Sequence, residues 1–408
     1  MHIFLKNRAF RQLTVNEWIS SFGDTIFYLA FINYVSSYAF APLAIFLISL
    51  SETIPQVLQL FTGVIADFQK NRISKYISIL FIKVLLYSGV TLLLTSTDFS
   101  LFSVFFICSM NLISDTIGFL AGYMLTPIYI HDMTEAMGFR QSTSSIVRLI
   151  GNLSGGVFLG LFSISTLAFV NVLTFLFAFL GSLLIRNRLK KEEEKIEVPP
   201  YVGMSSFFQH LKESMKLLMT MEDVMVLLWI LSISQAVLMM VEPVSAILLI
   251  HHPFMGLSTG QSLAILIMIS LLHVILGGLL SGFLSKKISI RLNIYWSLLM
   301  ESLIVIDFLR GSFLLILLGS AGDAFSAGVL SPRLQAMIFG IIPEELMGSV
   351  QSSINVINLL IPAVLSLALV FLATSAGLEV VAFALIILLL IAAYLVHQMK
   401  NLPNQEEV

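Results

Sequence analysis

Long apolar stretches follow one another along almost the whole chain of 408 residues. About twelve of them reach the roughly 20 residues that an α-helix needs to cross the hydrocarbon of a bilayer. Their predicted limits are 14–36, 42–65, 75–97, 101–124, 141–162, 166–186, 223–249, 262–284, 291–309, 313–337, 347–374 and 378–398. Because 58% of the residues are hydrophobic and only 11% are charged, a water-soluble core could not hide this much apolar surface. We therefore predict an all-α membrane protein.

Two short segments of the first half reappear, weakly and in the same order, in the second half. GVIADFQKNRIS at 63–74 returns as GLLSGFLSKKIS at 278–289, and TEAMGFRQS at 134–142 returns as EELMGSVQS at 344–352. The sequence thus predicts two pseudo-symmetric six-helix bundles, 1–186 and 221–408, joined by a cytoplasmic linker at 187–220 that contains an amphipathic helix. A duplicated membrane domain with a basic crossover is typical of secondary transporters with parallel halves.

Basic residues concentrate in the loops on one side of the predicted membrane. They are Lys70, Arg72, Lys75, Arg140, Arg186, Arg188, Lys190, Lys191, Lys195, Lys212, Lys216, Lys286, Lys287, Arg291 and Arg333. The loops on the other side carry only Arg310. The positive-inside rule therefore places both termini and the linker in the cytoplasm. The first span contains Glu17 and Asp24 and lacks a small-residue cleavage site, so we expect a retained helix rather than a signal peptide.

Several function classes lack the residues that they require. Cys108 is the single cysteine, so an internal disulfide and any CxxC site are excluded. The sequence contains no nucleotide-binding P-loop, zinc signature or nucleophile elbow. We expect neither an enzyme nor a bound cofactor, metal or nucleic acid. The expected partners are the lipid bilayer, a small-molecule substrate and protons, and the expected oligomeric state is a monomer.

The segment GVIADFQKNR resembles the loop motif of the major facilitator superfamily of transporters, with Gly63, Asp67 and Arg72 at the motif positions. The resemblance implies that these residues form a conformational gate, although a static loop contact is the alternative. The second copy has Gly282 where the first has Asp67, which predicts an asymmetric gate.

Two further segments are similar to the macrolide and multidrug efflux branch of that superfamily. SSFGDTIFYLA opens the first helix, and GNLSGGVFLG in the fifth carries Gly151, Gly155, Gly156 and Gly160, with Asn152 where the antiporter motif usually has Pro. The resemblance implies a bacterial cytoplasmic-membrane exporter of lipophilic drugs, conferring antibiotic resistance, whose helices one, four, seven and ten line the path. Close helix approach is the alternative role of the glycines.

Polar residues at membrane depth are costly and usually face a cavity or a partner. The sequence indicates four candidates for proton coupling, which are Asp24, Glu52, Asp115 and Asp323. The candidates for the substrate path are Glu17, Tyr28, Gln56, Asn111, Gln235, Glu242, Gln351 and Asn355. Asp24 and Glu52 lie at similar depth, where a low dielectric disfavours two ionised carboxylates and suits a proton carrier. Alternatively, these acids are structural and pair with the predicted buried cations Lys83 and Arg148.

The sequence-based hypothesis is therefore proton-coupled alternating access by a drug exporter. One alternative is the same fold with another cargo, such as a siderophore, a lipid-like or peptide product, or an imported substrate. A second alternative is a membrane receptor or assembly protein that does not transport. Interior acids argue against the last alternative, because apolar residues would be less costly at those positions.

Overall fold

The computed structural model describes residues 4, 8–67, 69–96, 99–125, 143–144, 146–148, 150–151, 154–155, 158–194, 208, 212, 215–216, 218–220, 222–284, 287–341 and 347–399. Within these ranges the regular structure consists of helices. They are α1 (Arg8–Val35), α2 (Ala41–Asp67), α3 (Arg72–Thr95), α4 (Leu101–Leu125), α5 (Ile164–Leu184), α6 (Arg186–Glu193), α7 (Glu222–His251), α8 (Thr259–Leu284), α9 (Ile290–Arg310), α10 (Leu314–Ile341), α11 (Met347–Ser375) and α12 (Leu378–Gln398).

The lengths of these helices match the thickness of a bilayer. Among the described residues, ten helices are long and apolar enough to cross a membrane, namely every one of the twelve except α1 and the short α6. Most of the predicted span 141–162 and much of the predicted amphipathic linker helix lie outside the described residues. The prediction of an all-α membrane protein is confirmed, while the count of twelve spans stays a prediction.

The outward-facing side chains are apolar, as lipid contact requires. Leu184 is 87% exposed, Leu279 77%, Leu92 71% and Phe102 69%. Large apolar side chains at this exposure would cost free energy in water but not in hydrocarbon. Prolines inside α2, α7 and α11 (Pro55, Pro243 and Pro362) leave these helices continuous. Such prolines are tolerated in membrane helices because neighbouring helices satisfy the freed backbone groups.

Contacts divide the chain into two compact units. Unit 1 comprises Met1–Tyr201 together with Ser258–Ile265, and unit 2 comprises Val202–Leu257 together with Leu266–Val408. The first turns of α8 are thus grouped with unit 1, where the Gly260 backbone N–H donates to Asn33 Oδ1 at 3.1 Å.

Inside unit 1, α2 packs on α4, α4 packs on α3, and α5 packs on both α1 and α3. One hydrophobic cluster includes Phe10, Tyr76, Met124 and Leu189, all of them buried. The contact between α1 and α5 is close because Gly23 has no side chain: a Cβ there would lie 2.5 Å from Thr174 Oγ1. Small residues that let backbones approach are the usual means of packing helices in lipid.

Unit 2 repeats part of this packing at the corresponding helices. Here α9 packs on α10 and α12, and α7 packs on α12, just as α3 packs on α4 and α5 and α1 packs on α5 in unit 1. The close contact of α9 with α10 depends on Gly319 and Gly322. A Cβ on Gly319 would lie 2.7 Å from Ile304 Cγ1, and one on Gly322 would lie 2.6 Å from Met300 Cγ. The matching pairs agree with the duplication seen in the sequence.

Asp307 fixes the turn between α9 and α10. Its Oδ2 accepts hydrogen bonds from the backbone N–H groups of Leu315 (2.7 Å) and Ile316 (3.1 Å), and its Oδ1 accepts from the Ser312 hydroxyl (2.5 Å). These amides belong to the first turn of α10, which has no intrahelical acceptors for them. The fully buried Asp307 carboxylate therefore acts as the N-terminal cap of α10.

Candidate functional site

A group of polar side chains from five helices meets inside unit 1, and we refer to it as the polar cluster. Its members are Asp24 on α1, Glu52 on α2, Lys83 and Tyr87 on α3, Asn111 and Asp115 on α4, and Asn171 on α5. Three of the four predicted proton-coupling residues belong to it. They come together because α3 and α4 pack on each other while α5 bridges α1 and α3.

Asp24 is held in the polar cluster by α5. The Asn171 amide Nδ2 donates to Asp24 Oδ1 at 2.9 Å, and the Thr174 hydroxyl donates to Asn171 Oδ1 at 3.0 Å. Asn171 is fully buried, so these bonds satisfy polar groups that would otherwise be costly. A side chain larger than hydrogen at Gly23 would collide with Asn171 Oδ1. The glycine therefore makes room for the amide that orients Asp24.

Lys83 supplies the positive charge of the polar cluster. Its Nζ lies 4.0 Å from Asp115 Oδ1 and 4.3 Å from the centre of the Phe175 ring. The same charge also acts on Asp24. Gly118 leaves space for the ammonium group, because a Cβ there would lie 3.3 Å from Nζ. One cation thus faces two carboxylates in a largely buried setting, so full ionisation of both leaves an excess negative charge that a proton would neutralise.

A chain of hydrogen bonds leads from Tyr87 to Glu52. The Tyr87 hydroxyl donates to Asn111 Oδ1 at 2.6 Å, and Asn111 Nδ2 donates to Glu52 Oε1 at 2.8 Å. Tyr87 also interacts with Asp24 through its hydroxyl. Tyr87 is therefore the common neighbour of Asp24 and the Asn111–Glu52 pair.

The fourth predicted carboxylate, Asp323 on α10, belongs to unit 2 and lies outside the polar cluster. It is 1% exposed and accepts a hydrogen bond from the Ser297 hydroxyl on α9. Beside it stands Glu301, also on α9 and fully buried. Glu301 was missed in the sequence analysis. Glu301 is an acidic residue in the middle of the predicted helix 291–309, which is the pattern that selects a candidate. That helix is not among those that the family resemblance expects to line a path.

The predicted substrate-path residues are scattered. Glu17, Tyr28, Gln56 and Glu242 are partly exposed, and Gln235 is exposed. Asn111 is buried and belongs to the polar cluster. The side chains of Gln351 and Asn355 lie outside the described residues. The path residues therefore remain predictions, apart from Asn111, whose contacts place it between Tyr87 and Glu52.

The two predicted buried cations differ. Lys83 is buried, whereas the Arg148 side chain is exposed. A long arginine side chain can extend its guanidinium beyond the packed interior even when its helix lies at membrane depth.

The gate residues are described only in part. Arg72 is buried at the start of α3, where Nε donates to Gln69 O at 3.1 Å and Nη1 donates to Met124 O at 3.5 Å, at the end of α4. A cation beside the carbonyl end of a helix is favoured by the helix dipole. The side chain of Asp67, and any contact at Gly63 or Gly282, lie outside the described residues.

Two glycines of the fifth-helix motif lie against α1. A Cβ on Gly151 would be 3.1 Å from Thr25 Cβ, and one on Gly155 would be 3.2 Å from Leu29 Cδ1. Gly160 is exposed in the turn before α5, and Gly156 lies outside the described residues. Gly151 and Gly155 thus favour the alternative role, which is close approach of two helices.

Comparison with solved structures identifies the fold. A POT family transporter in complex with a thioalcohol-conjugated peptide superposes with a TM-score of 0.63 and 12% identity, covering 97% of both chains. The nucleoside transporter NupG gives 0.66 and 12%, covering 95% of this chain and 100% of its own. A bacterial homologue of the iron transporter ferroportin, in an inward-facing state, gives 0.66 and 13%, covering 96% and 98%. No protein-family model matches the sequence, and no curated protein sequence does so either.

The chain is therefore an all-α, multi-pass membrane protein with the fold of these transporters, the major facilitator fold. The likeness extends over nearly the whole length of each chain. At 12–13% identity it establishes the architecture and not the cargo.

Proposed function

We propose that the chain is a secondary active transporter, and not an enzyme, that exports lipophilic small molecules across a bacterial cytoplasmic membrane in exchange for protons. The observation that carries the proposal is the polar cluster, in which the single ammonium group of Lys83 faces the carboxylates of Asp24 and Asp115. A structural ion pair needs only one carboxylate beside the lysine. Here a second carboxylate is present, and its negative charge has no cation of its own and is removed only when it binds a proton.

Asp24 is the proposed proton carrier. It lies on α1 beside Lys83; its hydrogen bond to Asn171 connects it to α5, and its interactions with Lys83 and Tyr87 connect it to α3. Binding of a proton to Asp24 releases Lys83 to pair with Asp115 alone, and loss of the proton draws Lys83 back between the two acids. Because these contacts join three helices, the protonation state biases the packing of unit 1 and with it the alternating-access equilibrium.

The segment around Arg72 supports a second part of the proposal, the gate. Arg72 links the start of α3 to the last carbonyl groups of α4, at a loop whose acid Asp67 is replaced by Gly282 in the second half. The gate predicts that Asp67→Asn impairs transport while the protein stays folded in the membrane, and that Gly282→Asp has a smaller effect. Wild-type transport by Asp67→Asn at normal expression would remove the gate from the mechanism.

A different cargo is the second candidate function. The structures that superpose on the chain include transporters whose names specify peptides, nucleosides and iron, so the fold accommodates chemically diverse cargo. Under this candidate the polar cluster keeps its role as the proton carrier, but the substrate is polar and the direction is reversed.

A susceptibility panel distinguishes the two candidates. The chain is expressed in a host lacking its own drug pumps, beside the Asp24→Asn variant as a control that cannot drive uphill export. Export of lipophilic compounds predicts raised resistance to some of them with the wild type only. Unchanged susceptibility to all compounds, together with proton-driven uptake of a polar compound into proteoliposomes, would replace drug export by the second candidate.

A further inference from the structure

Unit 2 contains a pair of buried acids for which the proposed transport mechanism has no role. Glu301 on α9 is 0% exposed and Asp323 on α10 is 1% exposed, and the Asp323 carboxylate acts electrostatically on Glu301. The two helices approach each other closely there, because Gly319 and Gly322 of α10 have no side chains and lie against Met300 and Ile304 of α9.

Hydrogen bonds satisfy this pair only in part. Asp323 Oδ1 accepts from the Ser297 hydroxyl, but Asp323 Oδ2 and both carboxylate oxygens of Glu301 are buried without a hydrogen-bond partner among the described residues. The Ser234 side chain on α7 lies close to Glu301 and interacts with its carboxylate, although neither Glu301 oxygen has a partner at hydrogen-bond geometry. Three unpartnered oxygens on two adjacent carboxylates are costly if both are ionised, and a proton removes most of that cost.

The charged groups of the surrounding helices do not compensate the pair. Neither acid lies within 4.0 Å of a basic side chain in the described part of the chain. On α12, which packs on α9, the titratable side chains Glu379, Tyr394 and His397 are exposed. On α7, Glu242 lies about two helical turns from Ser234.

On α8, whose Gly277 lies against Phe325 of α10, the titratable side chain is His273, and its Nδ1 lies 2.7 Å from the carbonyl oxygen of Ile269 on its own helix. The other charged groups belong to α9 and α10 themselves. Asp307 caps α10, Arg291 donates to the Met399 carbonyl, and Tyr295 and Arg310 are exposed. The Arg333 side chain lies outside the described residues, roughly 15 Å along α10 from Asp323 at the rise of an α-helix. The excess negative charge of the pair therefore has no described counter-ion.

We propose that Glu301 and Asp323 form a second proton-binding site, in which the pair of carboxylates holds one proton. The proton resides mainly on Glu301, because neither of its oxygens has a partner at hydrogen-bond geometry, whereas Asp323 Oδ1 accepts a hydrogen bond from Ser297 that stabilises its ionised form. This site does not rest on the proposed drug export or on Asp24, since the two acid groups belong to different units.

A proton fits the site better than a metal ion does. The described residues contain no group of three or more histidine, cysteine or acidic side chains that could hold a metal. Hard cations prefer six or more oxygen ligands, and among the described residues it is serine hydroxyls that supplement the carboxylates, since the carbonyls of α9 and α10 are engaged within their helices. Sodium is nevertheless the competing ligand, and the test includes it.

The test combines infrared difference spectroscopy with thermal unfolding of the full-length protein in detergent or nanodiscs. The carbonyl stretch of a protonated carboxylic acid is recorded across a pH titration for the wild type, Glu301→Gln, Asp323→Asn and Asp24→Asn. Glu379→Gln is the matched control, since it makes the same change at an exposed acid of unit 2. Melting temperatures are measured over the same pH range, with and without sodium.

A shared proton predicts that Glu301→Gln removes one protonated-acid band, while Asp24→Asn and Glu379→Gln retain it. The wild type should melt at lower temperature as pH rises and the pair loses its proton, whereas Glu301→Gln should lose this dependence. Asp323→Asn should also change the band. This second variant tests the proposal even if Glu301→Gln fails to fold. Retention of the full band in both Glu301→Gln and Asp323→Asn would overturn the proposal. Sodium-dependent stabilisation of the wild type that Glu301→Gln abolishes would overturn it in favour of a cation site.

Discussion

The ammonium group of Lys83 lies 4.0 Å from Asp115 Oδ1 and 4.3 Å above the Phe175 ring. Asp115 comes from the neighbouring helix α4 and Phe175 from α5, so a single side chain on α3 connects three helices of unit 1. The charge of Lys83 also acts on Asp24 of α1. The polar cluster is therefore a structural junction, and under the proposed function it is also the site that binds the coupled proton.

Removal of the cation should destabilise unit 1. Lys83→Met keeps the length and apolar stem of the side chain but leaves Asp115 without its partner, so we expect a loss of about 3 kcal/mol in the free energy of unfolding. The double variant Lys83→Met with Asp115→Asn should recover much of this loss, because it removes the unpaired charge as well. Thermal unfolding of the three proteins measures the coupling. Equal destabilisation by the single and double variants would show that the pair contributes nothing.

The close contact of α1 with α5 should depend on Gly23. In Gly23→Ala the new methyl group collides with Asn171 and Thr174, so the helices must separate at a cost of about 1–3 kcal/mol. Asp24 should lose its hydrogen bond to Asn171, and transport should fall with it. Gly122→Ala is the matched control, since a Cβ there has no atom within 4 Å. Equal stability and transport in both variants would contradict the proposed role of this contact.

The turn between α9 and α10 should depend on Asp307. Asp307→Ala leaves the backbone N–H groups of Leu315 and Ile316 without their acceptor, so we expect a loss of about 2 kcal/mol. Asp307→Asn keeps one acceptor oxygen and should cost less, and Ser312→Ala should cost least. The order of melting temperatures checks this cap, and a melting temperature of Asp307→Ala equal to that of the wild type would exclude it.

The distribution of basic residues makes a direct prediction about orientation. After replacement of Cys108 by alanine, Arg310→Cys should react with a membrane-impermeant thiol reagent in intact cells, whereas Lys191→Cys should not. Both positions are exposed, so the reagent can reach either one once it is on the correct side. Labelling of Lys191→Cys alone would reverse the orientation and, with it, the proposed direction of transport.

The fold could be predicted closely from the sequence because apolar stretches of about 20 residues identify membrane helices. Helix α1 starts at Arg8, before the predicted span 14–36, and its first residues include basic side chains that no apolar pattern identifies. Asp24, Glu52, Asp115 and Lys83 could be selected because charged side chains in apolar spans are rare.

Contacts between helices were harder to predict than the helices themselves. Asn171 and Asp24 are separated by 147 positions, so nothing in either local pattern indicates their hydrogen bond. Tyr87 is an aromatic residue in an apolar helix, a pattern that predicts packing and not a polar junction. Glu301 carried the same signal as Asp323, but its helix lay outside the set that the family resemblance favoured. Pairing is decided by helix packing, which depends on glycines such as Gly23 and Gly319.

The central claim is that Asp24 carries the coupled proton, and it is tested most directly with the wild type and Asp24→Asn in proteoliposomes under an imposed pH gradient. The cargo is a compound to which the wild type confers resistance. The amide of Asp24→Asn retains the shape of the side chain but cannot exchange a proton. We predict that this variant still equilibrates the compound across the membrane but does not accumulate it against a gradient. Substrate-induced proton release in detergent should also fall sharply. Uphill transport by Asp24→Asn at the wild-type rate would contradict the claim.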